Sequence, residues 1–258
     1  MRFSISQIKC FKACRRSYYF RYIEGLEPIQ KADALQTGSN YHELIEWLNN
    51  HGNLDECGEP YSKELAMATA YAKYIYPKVK VKSAEEWVSY PLTPQDELFG
   101  RVDGIAEDGR LVEHKTTSME ITEAYEYNLQ WDEQMLAYML MTGAREIYYT
   151  VCRKPTIRQK KGESDEEFFN RMVEWYDEDT DSKIRLLILS RTDEEVKQFK
   201  WDIMNICEEI AEVQNNPDKL YRNCGWCNIW GRRCEYSSIC LHYDKDADYI
   251  EFERKERR

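Results

Sequence analysis

The chain has 258 residues, with 36 Lys plus Arg against 47 Asp plus Glu, a formal net charge of −11. Its 42% hydrophobic and 32% charged residues are an ordinary globular composition, long enough for one large or two small domains with a core that needs no disulfide staples. Acidity of this size argues against a nucleic-acid partner unless the basic residues gather locally, and no stretch reaches the roughly 18 to 20 apolar residues of a membrane helix.

The predicted elements begin with a helix over residues 4–23. Ser4 and Gln7 have capping-box spacing. Ile8, Phe11, Cys14, Tyr18 and Tyr22 draw one face at steps of three and four, and Gly25 and Pro28 end it. A second helix is expected to open at Gly38 with Ser39 as its cap, and a third over 60–76 stops at Pro77. The period then changes. Trp87–Leu92, Leu98–Ile105 and Leu111–Thr117 read as strands, with a tight turn at Asp108-Gly109 between the last two. Residues 121–142 return to helix. Ile147–Cys152 and Ile184–Leu189 are short, branched and apolar, hence strands. The acidic run 163–181 between them reads as a solvated loop and helix. Thr192 with Glu195 is a second capping box, opening a helix to about residue 215 that Pro217 stops. The charge-dense end, 243–258, reads as a solvated tail. The fold class is mixed α/β.

Nine cysteines cannot all pair. The opening MRFSISQIKCFKACRR has no apolar run of a secretory leader. The expectation is a reduced, cytoplasmic protein in which clustered thiols bind metal. Cys224, Cys227, Cys234 and Cys240 crowd one short segment. Cys152 and Cys207 read as small buried hydrophobes, and Cys57 is isolated. The spacing C-x2-C-x6-C-x5-C supports a closed tetrahedral zinc site, or an iron–sulfur cluster formed by three of these with Cys14, or free thiols.

Asp103 lies in FGRVDGIAED and Glu113 and Lys115 in LVEHKTT, on adjacent strands of one predicted hairpin. Glu113 and Lys115 are two apart and share a face. Two carboxylates and a lysine can bind Mg²⁺ or Mn²⁺ and assist attack on a phosphate, with the His114 carbonyl as a further ligand. The same residue types also suit a solvated hairpin. Gln134 and Tyr138 lie one helical turn apart.

The ordered set of G-x-x-x-H at Gly38–His42, G-x-x-D at Gly100–Asp103, E-x-K at Glu113–Lys115 and Q-x-x-x-Y at Gln134–Tyr138 resembles the RecB-like branch of the PD-(D/E)XK nuclease superfamily. It is similar to CRISPR-associated RecB-like exonucleases, to the AddB nuclease domain and to phage exonucleases. The opening FKACRRSYYFRYIEGLEP fits the same branch. The resemblance implies a restriction-endonuclease-like core over 81–216, a helical lobe over 1–80 and an iron–sulfur segment over 217–242, ahead of the 243–258 tail. It implies a metal-dependent DNA exonuclease acting on single strands or DNA ends in a bacterial or phage-infected cytoplasm. Asp103, Glu113 and His42 would be metal ligands, with the His114 carbonyl added, and Lys115 the catalytic lysine. Gln134 and Tyr138 would place the strand and the lysine. Cys14, Cys227, Cys234 and Cys240 would hold a [4Fe–4S] cluster, with Cys224 as alternative to Cys227. Many members carry D-x-K where this chain has Glu113. A non-catalytic DNA-binding or assembly module of the same fold, and a nuclease processing CRISPR spacer precursors, are the alternative readings. Protein partners in recombination or replication are compatible with either.

Basic residues do gather locally, at 1–31, 151–161 and 219–233. Arg15, Arg16, Arg21, Arg153, Lys154, Lys160 and Lys161 are candidates for a phosphate track. Tyr18, Tyr19, Phe20 and Trp226 are candidates for base stacking. Ordinary solvated faces and core aromatics would look the same.

Overall fold

The N-terminus of the computed structural model shows how far local signals carry. The structure describes residues 1–29, 33–58, 61–214, 216–229, 231–241 and 249–255. Strand β1 (Arg2–Ser4) leads into helix α1 (Ile5–Ala13). Ser4 Oγ accepts the Gln7 N–H at 3.2 Å, a side-chain cap as expected. The Gln7 side chain does not return to the cap; it donates to the Tyr18 hydroxyl. The single helix expected over 4–23 breaks at Cys14, which is extended (φ −159°, ψ 114°). One turn, α2 (Arg15–Tyr18), and a π-helical turn (Tyr19–Ile23) follow. The apolar spacing is preserved across the break, so the sequence reads one stripe. The Cys14 thiol instead accepts the N–H of Asn223, 209 positions away.

Strand β2 (Leu26–Pro28) precedes α3 (Asp33–His51). Gly38 and Ser39 lie inside α3, so Ser39 is not its cap. The buried stripe Tyr41, Leu44, Ile45 and Leu48 offsets the roughly 1 kcal/mol that an interior glycine costs. Helix α4 (Lys63–Tyr74) is capped by Ser62. Strands β3 (Val81–Pro91), β4 (Glu97–Ala106) and β5 (Leu111–Thr117) follow. Gly109, at φ +86°, makes the β4–β5 turn. The helix expected over 121–142 is interrupted: α5 (Glu123–Asn128) and a 3₁₀ turn precede Asp132, which caps α6 (Glu133–Thr142). Strand β6 (Glu146–Arg153), α7 (Asp165–Glu178), α8 (Thr180–Lys183), β7 (Ile184–Ser190) and α9 (Asp193–Gln214) continue the chain. The Thr192–Glu195 capping box is formed in both directions. The hairpin β8 (Asn228–Ile229) and β9 (Arg232–Arg233), then α10 (Ser237–Cys240) and β10 (Phe252–Arg254), complete it.

The chain divides into two compact units. One comprises 1–32, 91–99 and 198–258; the other 33–90 and 100–197. In the first, β1 pairs in parallel with residues 97–99 of β4. The C-terminal end is not wholly a solvated tail: β10 pairs antiparallel with β2, Phe252 opposite Pro28. Gly25 permits this, because a Cβ there would lie 2.6 Å from the Lys255 carbonyl oxygen. Of the expected tail, 243–248 and 256–258 lie outside the described residues.

The second unit contains a mixed sheet. β4 and β5 are antiparallel, β5 and β6 parallel, β6 and β7 antiparallel, and β3 flanks β4. Side chains alternate between two apolar layers. Leu111, Ile147 and Val151 pack with Met135 and Met139 of α6. Val112 and Cys152 pack with Tyr41 and Ile45 of α3, Met67 of α4 and Tyr176 of α7. This is the mixed α/β architecture expected from the sequence, with Cys152 and Cys207 buried. Among the described residues no helix is long and apolar enough to cross a membrane.

Ile147 is fully buried between β5 and β7. Ile147→Ala should lower unfolding free energy by about 2–5 kcal/mol in urea titrations. A second expectation concerns the loop before α7. Arg171 donates to both oxygens of Glu163 at 2.8 Å, and together with the Lys160 N–H holds its carboxyl down at about 2, against an ordinary 4.5. A depressed carboxylate adds stability above its unfolded pKa and loses it as pH falls through the folded one. Glu163→Gln should therefore lower the melting temperature at pH 7, and the deficit should shrink as pH falls below about 4.5.

Candidate metal centre and cysteine cluster

Within the second unit, three elements bring ligand atoms together. His42 comes from α3, Glu85 from β3 and Asp103 from β4, and one ligand atom of each lies within 4.8 Å of the others. His42 Nδ1 is 3.5 Å from Asp103 Oδ1, and Asp103 Oδ2 accepts the His114 N–H at 2.7 Å. Burial opposes the Asp103 charge, but His42 and the His114 N–H outweigh it and lower its pKa. Burial likewise opposes the His42 charge, and Asp103 raises His42 in return.

Glu85 was absent from the candidate residues. The strand was expected to start at Trp87, which left Glu85 outside it; β3 begins at Val81. Glu85 is also one of two described non-glycine residues with positive φ, +54°. An alternation pattern does not encode that conformation. Burial and then the Asp103 charge raise its pKa, with Arg101 opposing.

Glu113 and Lys115 project together from β5 as the spacing requires. Lys115 Nζ contacts Glu113 Oε1 closely and donates to Gln134 Oε1 at 2.9 Å. Gln134 Nε2 donates to the Tyr138 hydroxyl, which donates to the Arg101 carbonyl, each at 2.8 Å. Gly100 makes room for this: a Cβ there would stand 3.2 Å from the Tyr138 ring. Glu113 is fully buried, and its Oε2 has no hydrogen-bond partner. Burial and the Asp103 charge push its carboxyl up to about 8, against the pull of Lys115. Burial also opposes the Lys115 charge, but Glu113 raises it.

The His114 ring turns to the other face of the sheet. Its Nδ1 is 2.7 Å from Thr150 Oγ1 and its ring packs edge-on against Tyr71. Burial lowers it to about 4. Its Nε2 is buried without a hydrogen-bond partner among the described residues.

The cysteines of interest lie in the first unit. Cys14 accepts the Asn223 N–H at 3.3 Å, and Ser17 Oγ is 3.6 Å from Cys234 Sγ. The Cys234 N–H donates to the Cys227 carbonyl. Burial opposes the Cys14 thiolate, yet the N–H groups of Asn223, Ser17 and Arg16 and the Ser17 hydroxyl lower its pKa. Cys227 is raised by burial and then by Cys224, Cys234 and Cys14, and Cys240 by burial and, among others, Cys14 and Cys227. The four expected thiols are therefore electrostatic neighbours. Cys224 is exposed.

The stacking candidates are corrected in part. Tyr18, Tyr19 and Phe20 are buried, leaving no face for a base. Tyr18 packs edge-on to Phe11 at 5.2 Å. Trp226 is 50% exposed. Arg15 pairs with Glu209 and Arg21 with Glu235. Arg16 sits over the Tyr19 ring, and Arg153 over Trp175. The Lys154 N–H bonds the Thr117 carbonyl. Lys160 and Lys161 are exposed.

The fold agrees with comparisons to known proteins. The chain matches the PD-(D/E)XK nuclease superfamily over residues 2–241. A putative exonuclease from Eubacterium rectale superposes with a TM-score of 0.54 at 15% identity, over 96% of this chain and 90% of that one. An alkaline exonuclease from Laribacter hongkongensis gives 0.37 at 16% identity, over 74% and 78%. A phage-related exonuclease from Haemophilus somnus gives 0.35 at 16%, over 78% and 95%. None of the curated proteins compared with the chain matches it. With the family pattern spanning nearly its whole length and acidic, imidazole and lysine groups gathered beside one mixed sheet, the chain belongs to the PD-(D/E)XK nuclease superfamily.

Proposed function

We propose that the chain is a metal-dependent DNA exonuclease of the RecB-like branch, with residues 1–242 serving one nuclease domain. The observation that carries this reading is the convergence of His42, Glu85 and Asp103 in the same unit as the Lys115–Gln134–Tyr138 chain. One imidazole and several carboxylates form a hard donor set suited to Mg²⁺ or Mn²⁺. The unpartnered Glu113 Oε2 and the raised Glu113 and Glu85 carboxyls mark an excess of buried negative charge that a cation would offset. His42, Glu85 and Asp103 would hold the cation, with Glu113 and the His114 carbonyl completing its surroundings. When bound, it would lower the pKa of a water and neutralise charge on the scissile phosphate.

The chain's own groups then have separate tasks. Lys115, held by Glu113 and Gln134, orients the attacking water or donates to a phosphate oxygen. Gln134 and Tyr138 fix the lysine's direction. Lys160 and Lys161, with Arg153 and Lys154 on the same connection, supply positive charge for the DNA backbone, as Arg15, Arg16 and Arg21 do in the first unit.

Cys14, Cys227, Cys234 and Cys240 are proposed to hold a structural [4Fe–4S] cluster. The main-chain N–H donors on Cys14 suit a ligand thiolate, and Cys14 and Cys234 stand near enough to Cys227 for their charges to add to burial in raising it.

Asp103→Ala and Lys115→Ala should each slow degradation of end-labelled single-stranded DNA with Mn²⁺ by about 10² or more. Native rates in Asp103→Ala would overturn the assignment. Anaerobically purified protein should carry about four iron and four sulfide per chain; a colourless protein with one zinc would refute the cluster.

A further inference from the structure

Arg101 occupies a position that none of the roles above explains. It lies on β4, two residues before Asp103. Its Nε is 2.7 Å from Glu85 Oε2 on β3 and donates to the Glu85 carbonyl at 3.3 Å. Its terminal nitrogen is 3.9 Å from Glu46 Oε2. Glu46 stands one helical turn after His42 on α3, so both project from one face. One guanidinium therefore reaches all three elements that supply His42, Glu85 and Asp103. Its own carbonyl also receives the Tyr138 hydroxyl, the far end of the chain that begins at Lys115.

The contact to Glu85 has the form of an outer partner that orients a ligand. A carboxylate has two oxygens; Arg101 takes Oε2, which leaves Oε1 for the cation. The second contact, to the Glu85 carbonyl, acts on a residue whose backbone sits at φ +54°. That conformation is unfavourable for a side chain with a Cβ and persists only where surrounding contacts hold it. Both contacts are made by Nε, while a terminal nitrogen of the same planar group reaches Glu46; an ammonium on a flexible stem has no rigid second nitrogen with which to span the two.

We infer that Arg101 is a positioning residue of the metal centre, holding Glu85 in its strained, ligand-ready conformation and tying β3 and α3 to β4. This rests on the proposal that His42, Glu85 and Asp103 bind the catalytic cation. Its guanidinium does not itself ligate the metal or touch the reacting atoms.

The test is Mn²⁺ binding to the purified full chain, read by electron paramagnetic resonance, beside melting temperature without metal. Arg101→Ala should weaken Mn²⁺ about 10–100-fold, the usual cost of losing an outer partner. Arg101→Lys should recover only part of the loss, because it restores charge without the fork. Glu85→Gln should weaken Mn²⁺ as well, and adding Arg101→Ala to it should cost little more, since the two act through one ligand. Native affinity in Arg101→Ala, while Glu85→Gln and Asp103→Ala bind poorly, would overturn the role of Arg101 alone. Native affinity in Asp103→Ala would instead overturn the metal centre on which it rests. Arg101→Ala and Arg101→Lys weakened equally, with the same fall in melting temperature, would reduce Arg101 to a general structural contact and refute the inference.

Discussion

Buried like charge is the constraint around which the second unit is arranged. Glu113 is inaccessible, and Asp103 and Glu85 are each only slightly exposed. Carboxylates this close raise one another's pKa, and burial raises each further. The sequence supplies three cationic or ionisable partners, each to a different carboxylate. His42 faces Asp103, Lys115 faces Glu113 and Arg101 faces Glu85. Against burial, His42 and the His114 N–H depress Asp103, while burial and then the Asp103 charge raise Glu113 against the pull of Lys115, so the two acids are driven apart. Such separation of paired carboxylates is typical of sites built for a cation and for proton transfer.

The sheet makes this arrangement possible. Alternation along β5 sends Glu113 and Lys115 toward the α6 layer, where Gln134 accepts from the lysine and in turn donates to Tyr138. The same alternation sends the His114 ring into the opposite layer, against Tyr71 and Thr150. His114 thus serves both layers: its N–H bonds Asp103, while its ring fills the core. The residue between Glu113 and Lys115 is a packing position for its side chain and a site position for its backbone.

In the first unit a different economy holds. Cys14 leaves the helical path, and its thiol gains main-chain N–H donors from both near and distant sequence. Those donors favour the thiolate, the form that binds metal. The aromatic run after it, Tyr18 to Phe20, is consumed by the core beside it. Aromatic residues next to arginines therefore do not by themselves make a nucleic-acid surface; Trp226, which is half exposed, is a better-placed ring.

The sequence by itself determined the five longer strands, apart from the start of β3, the caps at Ser4 and Thr192 in part or whole, and the pairings of Glu113 with Lys115 and of Gln134 with Tyr138. These are legible because alternation, helical spacing and caps are local, and because E-x-K and Q-x-x-x-Y place side chains within one strand or one turn. Only the tertiary structure decided the rest. The continuation of α3 through Gly38 depends on burial of Tyr41 and Ile45, which outweighs a weak local preference. The break at Cys14 depends on Asn223, and β10 on its pairing with β2. Glu85 enters the site through a backbone conformation held by Arg101, and neither φ nor a partner sixteen residues away is written in the residue types around it.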